Sequence, residues 1–270
     1  MTELSSDLSD TAGWLPLDGL APGFDANRAE CSDSLAGSEV VLQDADQSTR
    51  YGFAADRVIV GDGASETTYR YEAYQVADGL SYLQLTGEAG QPSIGSQAIS
   101  VFLDLTAGRA LTVVSEIGEP ADRPRVTQRF RSATIAGRTP SGIAPATTRS
   151  LIGRRVLWEY STAHAYEHVY LSEYWYSWQC LAGPERGLAD TDACSSYQLR
   201  PGIYVFSWRE KVIPCAAVTV ADHRDARNLR SHGMLFGLDG SAAKPMLFTF
   251  GAYGRLLSTT MHPDHLDPAR

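Results

Sequence analysis

The sequence predicts an all-β protein of two antiparallel domains in tandem, each a barrel or a sandwich. Three observations predict it. Apolar and polar residues alternate with a period of two along most of the chain, and turn signals such as Gly61-Asp62-Gly63, Ala77-Asp78-Gly79 and Thr106-Ala107-Gly108 separate the runs. Helical periodicity is nearly absent. A segment rich in Pro and Gly divides the chain, and a motif on its first side returns on its second.

Taken in order, residues 1–38 are rich in Ser, Asp, Gly and Pro and read as an irregular lead-in that wraps the first domain through Trp14, Leu17 and Phe24. Residues 39–136 carry eight strand-like runs: EVVLQ, RYGF, RVIV, TTYRYEAYQV, LSYLQLT, AISVFLDL, RALTVVSEI and VTQRFRSATI. Residues 137–147 form the linker, residues 148–260 a second β domain, and residues 261–270 a polar tail. YQVADGLSYLQLTGE from Tyr74 matches YQLRPGIYVFSWREK from Tyr197 at a constant offset of 123, which favours duplication. Short antiparallel strands with turns every ~8–12 residues suit a barrel or sandwich, and a barrel of about eight strands can hold one small ligand.

Composition narrows the function classes. A chain of 270 residues with 43% hydrophobic and 10% aromatic residues is an ordinary globular protein. Its net charge of −9 gives no footprint for nucleic acid or an anionic membrane. No apolar run approaches the ~18–20 residues of a membrane span, and the start, MTELSSDLSDTAGW, lacks the basic and apolar regions of a secretory signal. Cys31, Cys180, Cys194 and Cys215 show no CxxC spacing and fit a reducing cytoplasm. Only Lys211 and Lys244 are lysines, an arginine bias that suggests a GC-rich bacterial genome.

The second domain carries the chemistry. Side chains two apart on a strand share a face, so one face collects Trp158 and Tyr160; Tyr166, His168 and Tyr170; and Tyr174, Tyr176 and Trp178. A later strand adds Tyr204, Phe206, Trp208 and Glu210. A core built for stability alone would use Val, Ile and Leu, whereas Tyr and Trp carry polar tips that need partners. The face reads as the lining of a pocket for a hydrophobic small molecule. Glu210 is the candidate general acid/base, because a carboxyl in apolar surroundings keeps its proton near neutral pH; its plain alternative is a structural ion pair with Arg209, Lys211 or a pocket arginine. His168 and Tyr176 are the candidate proton relay, and the remaining aromatic residues the substrate-binding wall. Asp190-Thr191-Asp192 reads as a solvated turn. His164 and His168 lie four apart, but on a strand and without a third ligand, so no metal is expected. No phosphate loop or GxSxG motif is present, and no cofactor is expected.

These runs carry a resemblance. RVLWEYSTAHAYEHVYLSEYWYSWQCLAGPERGLADTDAC with YVFSWREKVIP resembles the C-terminal half of the MoaF family, named for molybdenum cofactor biosynthesis protein F. SLAGSEVVL and YEAYQVADGLSYL resemble its N-terminal half, so the similarity spans roughly residues 34–260. The resemblance implies paired lipocalin-type (calycin-like) barrels, and a pterin among the ligands to consider. WEYSTAHAYEHVYL and GIYVFSWREK are also similar, more faintly, to phenolic acid decarboxylases, in which a tyrosine pair holds the carboxylate and a glutamate handles the proton. Glu210 matches that glutamate. Trp158 and Tyr160 fall at the tyrosine pair, so one tyrosine is missing, and the arginine has no secure counterpart beyond the nearby Arg186.

Two readings follow. One is a cofactor-independent lyase, isomerase or cyclase acting on a hydrophobic or aromatic molecule, in secondary metabolism. The alternative is a non-catalytic lipocalin-type binder linked to molybdenum cofactor metabolism. The N-terminal domain, where Gly87 stands at the position of Glu210, reads as structural: it covers the second barrel or forms a homodimer surface.

Overall fold

The computed structural model describes residues 11, 13–87 and 95–270. The first eight strands are β1 (Glu39–Gln43), β2 (Ser48–Phe53), β3 (Arg57–Gly61), β4 (Glu66–Ala77), β5 (Leu80–Thr86), β6 (Gln97–Asp104), β7 (Arg109–Ile117) and β8 (Val126–Ile135). Each pairs antiparallel with the next, and β1 pairs with β8 to close the barrel. Alternate residues therefore face inward. Val40, Leu42, Phe53, Leu83, Leu85 and Val101 fill the interior with tightly buried, mostly aliphatic side chains.

A two-residue strand, β9 (Ala146–Thr147), follows and lies against β13. The second barrel comprises β10 (Arg154–Glu159), β11 (Ala165–Tyr170), β12 (Trp175–Ala182), β13 (Ala189–Arg200), β14 (Ile203–Arg209), β15 (Cys215–Asp222), β16 (Leu229–Leu238) and β17 (Pro245–Thr259). It too is an antiparallel meander, closed where β17 pairs with β10. No helix among the described residues is long and apolar enough to cross a membrane.

The repeated motif marks corresponding hairpins. The bounds of β4 and β5 become those of β13 and β14 on adding 123. Both hairpins shift register at the same place, after Gln75 and after Gln198. Gly79 and Gly202 occupy their turns at φ +65° and +78°, a left-handed conformation that suits glycine. The hairpins also meet. Leu80, Tyr82 and Phe102 on the outer wall of the first barrel pack with Ile203, Val205 and Phe236 on the outer wall of the second. Arg200 clamps this contact, donating from Nε and Nη2 to Asp104 at 2.6 and 2.7 Å and from Nη1 to the Asp78 carbonyl.

The lead-in corrects one expectation. Leu17 and Leu20, on the short helix α1 (Leu17–Leu20), and Phe24 enter the core of the second barrel, not the first. The first barrel fills its interior with its own side chains and Leu35 from the end of the lead-in, whereas the wide aromatic interior of the second leaves a mouth that needs apolar cover. Residues 13–28 form that cover as a strap. Asn27 donates its backbone N–H to the Tyr160 carbonyl and its side-chain amide to the Glu159 carbonyl. Gly251 lets the strap lie this close, since a Cβ there would collide with the Asn27 carbonyl oxygen.

Candidate functional site

Strand alternation brings the aromatic row inside the second barrel. Beneath the strap lies a pocket with about 470 Å³ of space between its walls, part of it open to solvent. Its lining includes Tyr160 beside the end of β10, Tyr166 and His168 of β11, Tyr176 and Trp178 of β12, and Trp208 and Glu210 at the end of β14. Leu20 and Phe24 of the strap close it. Phe24 packs against Tyr160, Tyr166 and Phe250 at ring-centroid distances of 4.8, 5.8 and 6.5 Å.

Four residues assigned to the substrate-binding wall lie elsewhere. Trp158, Tyr170 and Tyr204 are buried in the same interior but sit deeper, off the cavity lining. They pack towards the far end, where Trp158 and Tyr204 edge onto His223 at 5.7 and 5.6 Å and Arg154 Nη1 lies 3.2 Å from His223 Nδ1. The cavity takes only the mouth half of the barrel, so residues farther along the same rows become packing. Tyr174 is 65% exposed. It belongs to the β11–β12 turn, whose backbone N–H groups at Tyr174 and Trp175 are held by Ser172 Oγ, so the inward row starts two residues later, at Tyr176.

Glu210 has a partner that its local sequence hid. The β13–β14 register pairs Cys194 with Trp208 and Ala193 with Arg209, which brings Asp192 opposite Glu210. The two carboxyls lie within hydrogen-bonding reach of each other. Trp208 Nε1 donates to Glu210 Oε1 at 2.7 Å, and Trp178 Nε1 donates to Asp192 Oδ2 at 2.8 Å. The Lys211 backbone N–H donates to Asp192 Oδ1 at 3.0 Å, while its ammonium reaches out to Asp190 at 2.6 Å. Burial and the adjacent Asp192 carboxyl push the Glu210 pKa well above the ordinary carboxylate range, and burial raises that of Asp192. Asp192 accepts from two N–H groups and Glu210 from one, which favours the shared proton on Glu210. The ion pair expected of Glu210 with Arg209 or Lys211 does not form: Arg209 turns to Gln128 and Ser195.

Around the pair stand weak acids and a neutral base. Burial pushes the His168 imidazole down to about 3, so it is neutral at physiological pH, and its Nδ1 has no partner. The Tyr176 phenol is raised by burial and by Glu210 and Asp192. Tyr166 donates to Glu185 Oε2 at 2.9 Å, and the Leu15 N–H of the strap donates to the other oxygen at 3.1 Å. The sequence reading gives Glu185 and Phe250 no part in the site, places Asp192 in a solvated turn and sends Phe24 to the first domain. Equal steps outward from the Pro201-Gly202 turn pair Asp192 with Lys211, and only the register shift after Gln198 brings Glu210 opposite it; nothing local marks the others. Among the described residues, no group of three His, Cys, Asp or Glu could hold a metal.

Comparison with known proteins finds relatives of both halves of the chain. Residues 12–119 match the MoaF N-terminal domain family and residues 145–260 the MoaF C-terminal domain family. The chain is similar to Protein MoaF of Klebsiella aerogenes, at 34% identity over 185 residues that cover 64% of this chain and 70% of that protein. A putative beta-lactamase from Burkholderia vietnamiensis aligns over 42% of this chain and 100% of its own, with TM-score 0.34 and 11% identity.

Proposed function

We propose that this chain, which belongs to the MoaF family, is a cofactor-independent enzyme of lyase, isomerase or cyclase type that works by general acid–base catalysis on a small aromatic or hydrophobic molecule. Family membership suggests a role linked to molybdenum cofactor biosynthesis. The observation that carries the catalytic reading is the Glu210–Asp192 pair, whose Glu210 lines the cavity beneath the strap. Carboxyls whose environments divide one proton between them supply an acid and a base within one site.

In this reading Glu210 gives its proton to the bound molecule and Asp192, through Glu210, sets its proton affinity. Tyr176 and the neutral His168 lie close enough to polarise a carbonyl or accept a proton in transit. The ring wall orients the molecule and the strap excludes water, so the polar groups act in a preorganised, poorly screened site. Hydroxycinnamate decarboxylation fits less well. Arg186 is exposed and does not line the cavity, so the arginine of the phenolic acid decarboxylases has no counterpart there.

The carrier reading draws on one observation, the strap that covers the cavity with Leu20 and Phe24. One experiment separates the two. Wild-type protein and Glu210→Gln are each incubated with a small-molecule extract of the producing cells, and the extract is profiled by mass spectrometry. A compound consumed by wild type but only retained by Glu210→Gln supports the enzyme. Retention by both proteins with no consumption establishes a carrier.

A further inference from the structure

Among the described residues, the cavity wall holds acidic groups that no side-chain cation answers: Glu210 and Glu185 line it, and Asp192 stands directly behind Glu210. Two carboxyls that share one proton keep one negative charge between them. Every nearby cation looks elsewhere. Lys211 sends its ammonium to Asp190, and Arg209 donates to Gln128 and Ser195, both at 3.1 Å. Among the described residues, no lysine or arginine lines the cavity, and Glu185 adds a further acid.

The rest of the lining points to what would answer that charge. Trp178, Trp208, Tyr160, Tyr176 and Phe250 surround the space with rings, whose faces attract cations through their quadrupoles. His168 lines the cavity at 4% exposure with Nδ1 unpartnered, a nitrogen available to hydrogen-bond a ligand. A carboxylate or phosphate would meet two acidic groups and no counter-charge. We propose that the cavity selects an organic cation, an ammonium on an aromatic or compact alkyl frame, and rejects anions of the same size. The proposal rests on the preceding section only in taking this cavity as the ligand site; it holds whether or not the site turns its ligand over.

The test is calorimetric titration of the full chain near neutral pH with three probes of similar shape: benzyltrimethylammonium, benzyl alcohol and benzoate. Benzyltrimethylammonium is expected to bind about 30-fold more tightly than benzyl alcohol, and benzoate not to bind. Glu210→Gln leaves the charge on Asp192 and keeps the cation preference even where it abolishes turnover, so failure of the catalytic reading is visible separately. The double variant Glu210→Gln/Asp192→Asn removes both acids. It should lose the cation preference while still binding benzyl alcohol, which reports that the cavity is intact. Binding of benzoate as tight as that of the cation, an undiminished cation preference in the double variant, or no binding of any probe overturns the proposal.

Discussion

Asp192 stands across the β13–β14 ladder from Glu210, and each carboxyl is held by the indole N–H of a different tryptophan, at 2.8 Å from Trp178 and 2.7 Å from Trp208. The arrangement is satisfied by one proton on Glu210: its Oε1 accepts from Trp208 while its hydroxyl donates to Asp192. A glutamine offers the same acceptor and the same donor, so the Glu210→Gln change tests the proton and spares the geometry.

The pair makes stability depend on pH, and the sign follows from the raised Glu210 pKa. The folded protein keeps a proton that the unfolded chain releases above about pH 4.5, so the contribution is complete below that pH and is lost as pH rises through the folded-state pKa. Glu210→Gln removes this loss. Thermal unfolding of both proteins between about pH 5 and 8 should show the variant gaining on wild type by at least about 1 kcal/mol, or roughly 2–4 °C, towards the alkaline end. Parallel curves would mean that Glu210 titrates normally.

The period-two alternation was enough to read both β domains and to gather Tyr160, Tyr166, His168, Tyr176, Trp178, Trp208 and Glu210, because strand side chains alternate whatever the tertiary context. Asp192 escaped because its neighbourhood, Asp190-Thr191-Asp192, has the composition of a turn, and only its partner strand shows it to be a strand residue facing inward. Tyr174 misled for the opposite reason: its row looked continuous, but a turn held by Ser172 begins before it. The destination of Leu17, Leu20 and Phe24 could not be read locally at all. An apolar strap fits either barrel by composition, and which one needs it depends on how well each interior fills itself.

Three buried histidines set the acid limit of the fold. Burial is the first cause that lowers each: His168 and His223 to about 3 and His232 to about 4, with Arg154 and Arg230 adding to it for the last two. The unfolded chain protonates each near pH 6.5, so their contribution is whole above that pH and drains as pH falls towards 3–4, at roughly 1.4 kcal/mol per histidine per pH unit. The Glu210 proton offsets one of the three in the window above pH ~4.5. His232 stacks on Tyr74 at 5.5 Å, and His232→Phe can keep that contact. Stability measured by urea unfolding from about pH 7 to 5 should fall less steeply in the variant, by about one proton; an unchanged slope would place the acid sensitivity elsewhere.

Arg200 holds the two barrels together at one point. Asp104 is buried, with a side chain only 7% exposed, and Arg200 meets it through two parallel hydrogen bonds. Arg200→Ala leaves that carboxylate enclosed without its cation and should cost about 3 kcal/mol. Arg200→Met with Asp104→Asn removes the charge from both sides, so it should recover most of the loss. Equal destabilisation in the single and double variants would show that side-chain packing, and not the ion pair, carries the contact.

Phe24 is the residue on which the strap closes. It is 4% exposed and touches rings from β17 as well as from the ends of β10 and β11, yet its own segment is short and anchored mainly through Asn27 and Leu15. Truncation to alanine removes the largest apolar anchor without disturbing a strand, so local opening of the strap should become easier than global unfolding. Phe24→Ala is expected to cost about 3 kcal/mol in overall stability and to speed hydrogen exchange at the Asn27 amide, which is held by the Tyr160 carbonyl, well beyond its effect on β5 or β6. Release of benzyltrimethylammonium should accelerate in the same variant, because the strap must lift before the cavity empties. Exchange that rises equally in all strands would mean that Phe24 supports the whole barrel, and the strap would then be a fixed wall with no gating part.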